Sequence, residues 1–156
     1  MSPLVFAASG YLALVSVPLA LIDIREHRLP NPLTLSSIGV SGTLVVTDAL
    51  IQARYLQLLF GIGIATTTWF VGLMLGHLEQ IGMGDVKLLV SMHLIVGYLS
   101  PWLVLVELVV GFTLASLVSI ALLVLRRMTL KSSLPMGPYL LVGFFVSFGI
   151  WITGVA

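Results

Sequence analysis

Acidic side chains are scarce in this 156-residue chain, only Asp23, Glu26, Asp48, Glu79, Asp85 and Glu107, and two of them stand where an acid could do chemistry. Asp23 follows the apolar run Leu19-Ala20-Leu21-Ile22 and precedes Ile24-Arg25-Glu26-His27-Arg28-Leu29-Pro30-Asn31-Pro32, which puts it in the last turn of an apolar helix. Asp85 closes Gly82-Met83-Gly84-Asp85 and opens the next apolar run. Two carboxyl groups brought together share a proton, because like charges in close proximity cannot both ionise cheaply. Such a pair can activate water. One carboxylate takes a proton from the attacking water, the protonated partner polarises a carbonyl, and the roles alternate as the tetrahedral intermediate collapses. Each acid also has a plainer reading: Asp23 as an interfacial charge paired with Arg25 or Arg28, Asp85 as the N-cap of a glycine-rich turn.

The neighbours of the two acids bear on the same question. Gly82 and Gly84 would let the backbone adopt conformations closed to other residues and let a bound chain approach without a Cβ in the way. Lys87 could orient Asp85 or pair with a lipid phosphate. Asn31-Pro32 reads as the N-cap and first residue of a helix, and Pro135, Gly137 and Pro138 shape the entry to the last helix. Glu107 lies inside an apolar run, where a hydrogen bond to a Ser or Thr of another helix is the expected role. His27, His77 and His93 show no ligand spacing and no serine stands in a G-x-S-x-G turn, so neither a metal centre nor a serine triad is expected. The absence of cysteine excludes disulfides, thiolate zinc sites and a Cys nucleophile. A net charge of +1 with no basic tract argues against nucleic acid.

The elements that must position these residues follow from composition. The chain is 59% hydrophobic and 8% charged, with a mean hydropathy of +1.17, whereas a soluble domain is about 25% charged. Its solvent is the bilayer. A spanning helix takes roughly 20 apolar residues, which leaves room for about six helices in one domain, 1–156. Charges and turn residues cut the chain into apolar segments at Val5–Ile22, Leu33–Val46, Leu56–Leu75, Val86–Leu99, Trp102–Leu125 and Tyr139–Ala156. They lack the alternation of a membrane barrel and must satisfy their own backbone hydrogen bonds, so an all-α helical bundle is expected. The first has no positively charged start and reads as a retained helix rather than a cleaved signal. Gly72-Leu73-Met74-Leu75-Gly76 and the Gly111, Ala115, Ser119 row are packing signals, while Trp69, Trp102, Tyr55, Tyr98 and Tyr139 read as interfacial anchors.

With six crossings, Arg25, Arg28, Lys87, Arg126, Arg127 and Lys131 fall on one side and Arg54 on the other, which makes the first side cytoplasmic and both termini external. If segments two and four only dipped into the membrane, the split would again be six to one. The two topologies differ in one consequence: six crossings put Asp23 and Asp85 at the same face, and two dips put them at opposite faces. Segment two can be lengthened through Asp48, and Lys87 can snorkel, so six is the preferred reading.

Three motifs in register carry a resemblance. Asp23 with Leu29-Pro30-Asn31 and Leu33-Thr34, then Gly82-Met83-Gly84-Asp85-Val86-Lys87, then Leu134-Pro135-Met136-Gly137-Pro138-Tyr139 resemble the peptidase domain of type IV prepilin peptidases across nearly the whole chain. The resemblance implies a multi-pass aspartic protease of the bacterial or archaeal plasma membrane, in the GxGD group that includes presenilin-like and archaeal preflagellin peptidases. It implies Asp23 and Asp85 as the catalytic pair, with Gly82, Gly84, Lys87, Pro135 and Gly137 beside the substrate. The implied substrate is a pilin-like precursor whose short basic leader is cut from a hydrophobic helix at the cytoplasmic boundary, usually after glycine, ahead of pilus or secretion-system assembly. Its basic residues could meet Glu26 or Glu79, although both read equally as solvated loop charges.

Many such proteins also carry a CxxC zinc region and N-methylate the cleaved pilin. This chain lacks cysteine and begins at its first helix, so no methyltransferase activity, zinc, S-adenosylmethionine or other cofactor is expected. Met136 stands where an aromatic residue is more usual. Two rival readings remain from the residues alone: a small ion- or proton-coupled carrier with Asp23, Asp85 and Glu107 along a polar path, and a non-catalytic membrane partner of a secretion machine. Oligomeric state is not legible.

Overall fold

The computed structural model describes residues 2–78, 81–127, 129 and 134–154. Among these the secondary structure is all-helical: α1 (Pro3–Glu26), α2 (Asn31–Ile51), α3 (Tyr55–His77), α4 (Met83–Leu99), α5 (Leu103–Val124) and α6 (Gly137–Ile152). Four of them, α1, α2, α3 and α5, are long and apolar enough to cross a membrane. The segments expected from hydropathy are all present with shifted ends. α2 runs on past Asp48 to Ile51, and α4 starts at Met83 rather than Val86.

Local chemistry explains the ends. The Ser2 hydroxyl accepts the Leu4 N–H at 3.3 Å ahead of Pro3, and His27 closes α1 in the left-handed conformation with its N–H on the Asp23 carbonyl at 2.9 Å. Prolines in the first turns of α2 and α6 occupy positions whose N–H has no helical partner. Many hydroxyls inside the helices are satisfied on the preceding turn, as for Thr43 on the Gly39 carbonyl and Thr67 on the Gly63 carbonyl, both at 2.8 Å, which keeps these donors from meeting apolar solvent unpaired.

Packing reverses the pattern of a soluble bundle. α3 buries Gly61, Ala65 and Gly72 while Leu56, Leu59, Phe70 and Met74 face outward. Where lipid is as apolar as leucine, association relies on close approach of backbones, and small residues permit it. A Cβ at Gly61 would lie 2.9 Å from the Leu94 carbonyl oxygen of α4, and one at Gly143 of α6 would run into the Glu107 carbonyl of α5. α4 is the central element, packed against every other helix and buried almost continuously from Leu88 to Tyr98.

The helices alternate in direction. Gly61 meets the late part of α4 and Gly72 meets Val86 at its start, so α3 and α4 are antiparallel. Phe6 of α1 packs on Phe148 and Trp151 at the end of α6. One end of the bundle thus gathers the end of α1 and the starts of α2, α4 and α6. At the opposite end the Ser2 hydroxyl and the Tyr98 hydroxyl, the latter at 2.5 Å, both donate to the fully buried Asp48 carboxylate. Tyr98 is therefore a core residue, 2% exposed, and not the interfacial anchor expected of it. Its ring end is buried because α4 is central, and its hydroxyl is needed by Asp48.

The Asp48 network ties three helix ends together. Tyr98→Phe should lower stability by about 0.5–2 kcal/mol, the range for interhelical hydrogen bonds in membrane proteins, as read by equilibrium unfolding in mixed micelles. An unchanged midpoint would mean that the contact contributes nothing.

Candidate active site

Asp23 lies one turn before the end of α1 and is 4% exposed. A carboxylate there would face the negative end of its own helix, yet it is held by the positive end of another. The Gly137 N–H, the first of α6, donates to Asp23 Oδ2 at 2.8 Å. That amide is one of the donors every helix start leaves without an intrahelical partner. The space matters as much as the donor, since a Cβ at Gly137 would stand 2.9 Å from Asp23 Oδ2 and 3.3 Å from Leu29 Cδ2.

Asp85 occupies the first turn of α4, behind an extended Gly82 N-cap with φ −69° and ψ 137°. It is the third helical residue and not the cap itself, and a Cβ at Gly82 would lie 3.0 Å from its Oδ2. Its Oδ1 is buried with no hydrogen-bond partner. Neither Gly82 nor Gly84 has a positive φ, so conformational freedom is not why glycine stands there. Room is the reason: a Cβ at Gly84 would sit 2.7 Å from Leu29 Cβ.

Leu29 is thus the hinge piece of the site. It touches Gly84 of α4 on one side and Gly137 of α6 on the other, and it is buried although its loop is otherwise polar. Through it the two acids arrive at the same end of the bundle, Asp23 against Gly137 and Asp85 next to Gly84. Two re-entrant dips would have separated them. Leu29 was not singled out by its chemistry in the sequence; the available signal was a lone large apolar residue in the polar stretch Arg25–Asn31.

The other expected site residues distribute as follows. Lys87 donates to Asn31 Oδ1 at 2.6 Å, which pins the start of α4 to the start of α2. Its amine donates to Asn31, and Asn31 is the first residue of α2 with its side chain spent on Lys87 rather than on a cap. Pro135 lies in the segment leading to α6, two residues before Gly137. Arg28 pairs with Glu26 at 2.7 Å on the surface, and among the described residues no cation forms an ion pair with Asp23 or Asp85. The interfacial ion-pair reading of Asp23 therefore has no partner there. Glu79 and Lys131 lie outside the described residues.

Three polar side chains meet away from this end. Thr68 Oγ1 and His93 Nδ1 are 2.6 Å apart, and His93 Nε2 lies 3.8 Å from Glu107 Oε1 with both residues buried. Glu107 thus finds a histidine of α4 rather than the Ser or Thr expected. The three belong to α3, α4 and α5 in turn, so the cluster links helices in the middle of the bundle. Among the described residues no three His, Asp or Glu side chains gather as a metal ion would need.

Two carboxyl groups thus stand at one end of the bundle, Asp23 on the first amide of α6 and Asp85 in the first turn of α4 with a buried oxygen that has no partner. The description of the type IV leader peptidase family matches residues 10–125, a stretch that holds Asp23, Leu29, Gly82, Gly84 and Asp85 and ends short of Gly137. No curated protein and no solved structure matches the chain. A match over well more than half of the sequence, with both acids inside it, means that the chain belongs to the type IV leader peptidase family.

Proposed function

We propose that this chain is a membrane-embedded aspartic endopeptidase that cuts the short basic leader from type IV prepilin-like precursors, with Asp23 and Asp85 as its catalytic pair. The observation that carries the reading is the placement of both acids at one end of the bundle, with Leu29 packed between Gly84 of α4 and Gly137 of α6. In the reaction one carboxylate takes a proton from water, whose oxygen adds to the scissile carbonyl carbon. The other carboxyl gives its proton to the carbonyl oxygen. On collapse the C–N bond breaks, the new amine takes the proton held by the first carboxyl, and the second takes its proton back from the gem-diol as the carbonyl re-forms. Because Asp23 Oδ2 accepts the Gly137 N–H, the proton that Asp23 carries in this cycle belongs on Oδ1. Gly82, exposed beside Asp85, offers backbone to a bound chain.

Helix length supports a site just inside the membrane boundary. At about 1.5 Å per residue, α4 with 17 residues and α6 with 16 fall short of a hydrocarbon core about 30 Å thick. Their starts are recessed, and Asp23 is recessed by one turn of α1. A substrate's cleavage segment meets water at that depth while its helix stays in lipid.

The location follows from charge. Arg25, Arg28, Lys87, Arg126 and Arg127 belong to the end with the two acids and Arg54 to the other. The positive-inside rule then assigns the acids to the cytoplasmic face of a prokaryotic plasma membrane, with six crossings and both termini outside. Methyltransferase chemistry is not part of the proposal. Nor is a carrier, since the family is one of peptidases.

Four outcomes are expected. Asp23→Asn and Asp85→Asn should each reduce cleavage of a pilin-like precursor at least about 10²-fold in detergent, as loss of an acid–base partner costs about 10²–10⁴, while Glu26→Gln stays within a few-fold. Undiminished cleavage in both Asn variants would remove the dyad. Gly137→Ala should cut kcat about tenfold with KM little changed, equivalent to roughly 1.4 kcal/mol, because its methyl group displaces the Asp23 carboxylate. Single cysteines placed at Arg28 and Arg54 of this cysteine-free chain should label from opposite sides of the membrane; labelling from one side would rule out the six-crossing topology.

A further inference from the structure

α3 and α5 both pack on α4 and do not pack on each other. The gap between them is an apolar groove of about 500 Å³ whose floor is α4, with Val86, Leu89 and His93 on it. Its walls run from Leu59 to Leu75 along α3 and from Val104 to Phe112 along α5. Sixteen residues of helix measure about 24 Å, so the groove follows most of the length of α3. We propose that it holds the apolar helix that follows the cleaved bond of the substrate, an inference that rests on the peptidase reading above.

Three observations select that occupant over an acyl chain. The groove ends at Ile81 and Val86, the residues next to Gly82 and Asp85, so a helix lying in it would deliver its end to the acids. The α3 wall presents Gly63 and Thr67 one turn apart, both exposed, and the Thr67 hydroxyl is already satisfied on the Gly63 carbonyl. Small residues four apart with no free donor are what a second helix needs for close approach in lipid, whereas an acyl chain has no use for them. The volume, finally, takes the side chains along one face of a helix and leaves its other face to lipid.

Gly63 provides the test, because it lines the groove and a Cβ added there meets nothing within 4 Å, so a side chain can start there and extend into the groove. Gly39 of α2 is equally open and lies outside the groove. The probe is a synthetic precursor with a Lys-containing leader, a glycine and a Leu/Ala helix of about 20 residues, given to the full chain in nanodiscs. Gly63→Phe should raise KM about tenfold or more with kcat nearly unchanged, and Gly39→Phe should match the wild type. Equal KM values for the two variants would overturn the groove.

A second readout does not depend on cleavage. Benzoylphenylalanine placed at Phe60, in the groove, or at Phe145, on α6 outside it, is irradiated with the same precursor in an Asp85→Asn background. Cross-linking of the precursor from Phe60 and not from Phe145 supports the proposal. Cross-linking of phospholipid alone from Phe60, or of the precursor from Phe145 alone, overturns it. Cleavage by the wild type without a Phe60 cross-link discards the groove and keeps the peptidase; a Phe60 cross-link without wild-type cleavage does the reverse.

Discussion

A bilayer offers no hydrogen bonds, so a carboxyl group inside it must be met by donors from the protein itself. For Asp23 that donor is the first amide of α6. Helix starts are the natural source, since their leading N–H groups have no partner within the helix and carry the positive end of the dipole. The chain brings two such starts, those of α4 and α6, to the place where α1 runs out. Both helices, of 17 and 16 residues, are shorter than a hydrocarbon core about 30 Å thick.

That arrangement is only possible if the backbones come close. Leu29 fits between Gly84 and Gly137 because neither has a Cβ, and the loop that carries it is short and stiffened by Pro30 and Pro32. Lys87 on Asn31 fastens the same two helix starts from the outside. The glycines of the Gly82-Met83-Gly84-Asp85 motif therefore serve contact within the protein as well as any contact with substrate. Their backbone angles are those any residue could adopt.

Much of this was legible in the sequence. Hydropathy located all six helices, and the structure places both acids at one end of the bundle. The small residues Gly72, Gly76 and Gly111 were read as packing points, and they face Val86, Met83 and α6 respectively. What failed were roles set by partners distant in sequence. Tyr98 looked like an anchor because it ends an apolar run, and only the position of Asp48, fifty residues earlier, makes it a buried donor. Asn31 looked like a cap because it precedes a proline, and Lys87 takes its side chain instead. The hold of Gly137 on Asp23 spans 114 positions. No local pattern encodes such a contact.

The buried acids differ in a way that separates structure from chemistry. Asp48 is saturated, with a hydroxyl on each oxygen, and its network closes the end of the bundle away from the proposed active face. Glu107 keeps both oxygens without a hydrogen bond but is fully buried beside His93 in the middle of the bundle, with no second acid near it among the described residues. Asp85 alone among them combines a bare buried oxygen with a helix start, a neighbouring acid and an exposed glycine next to it. A carboxyl group with a donor on each oxygen holds helices together. Asp85 keeps one oxygen without a partner at the end of the bundle that also carries Asp23, and that pairing of acids at one end separates it from the Asp48 network and from the Thr68–His93–Glu107 cluster.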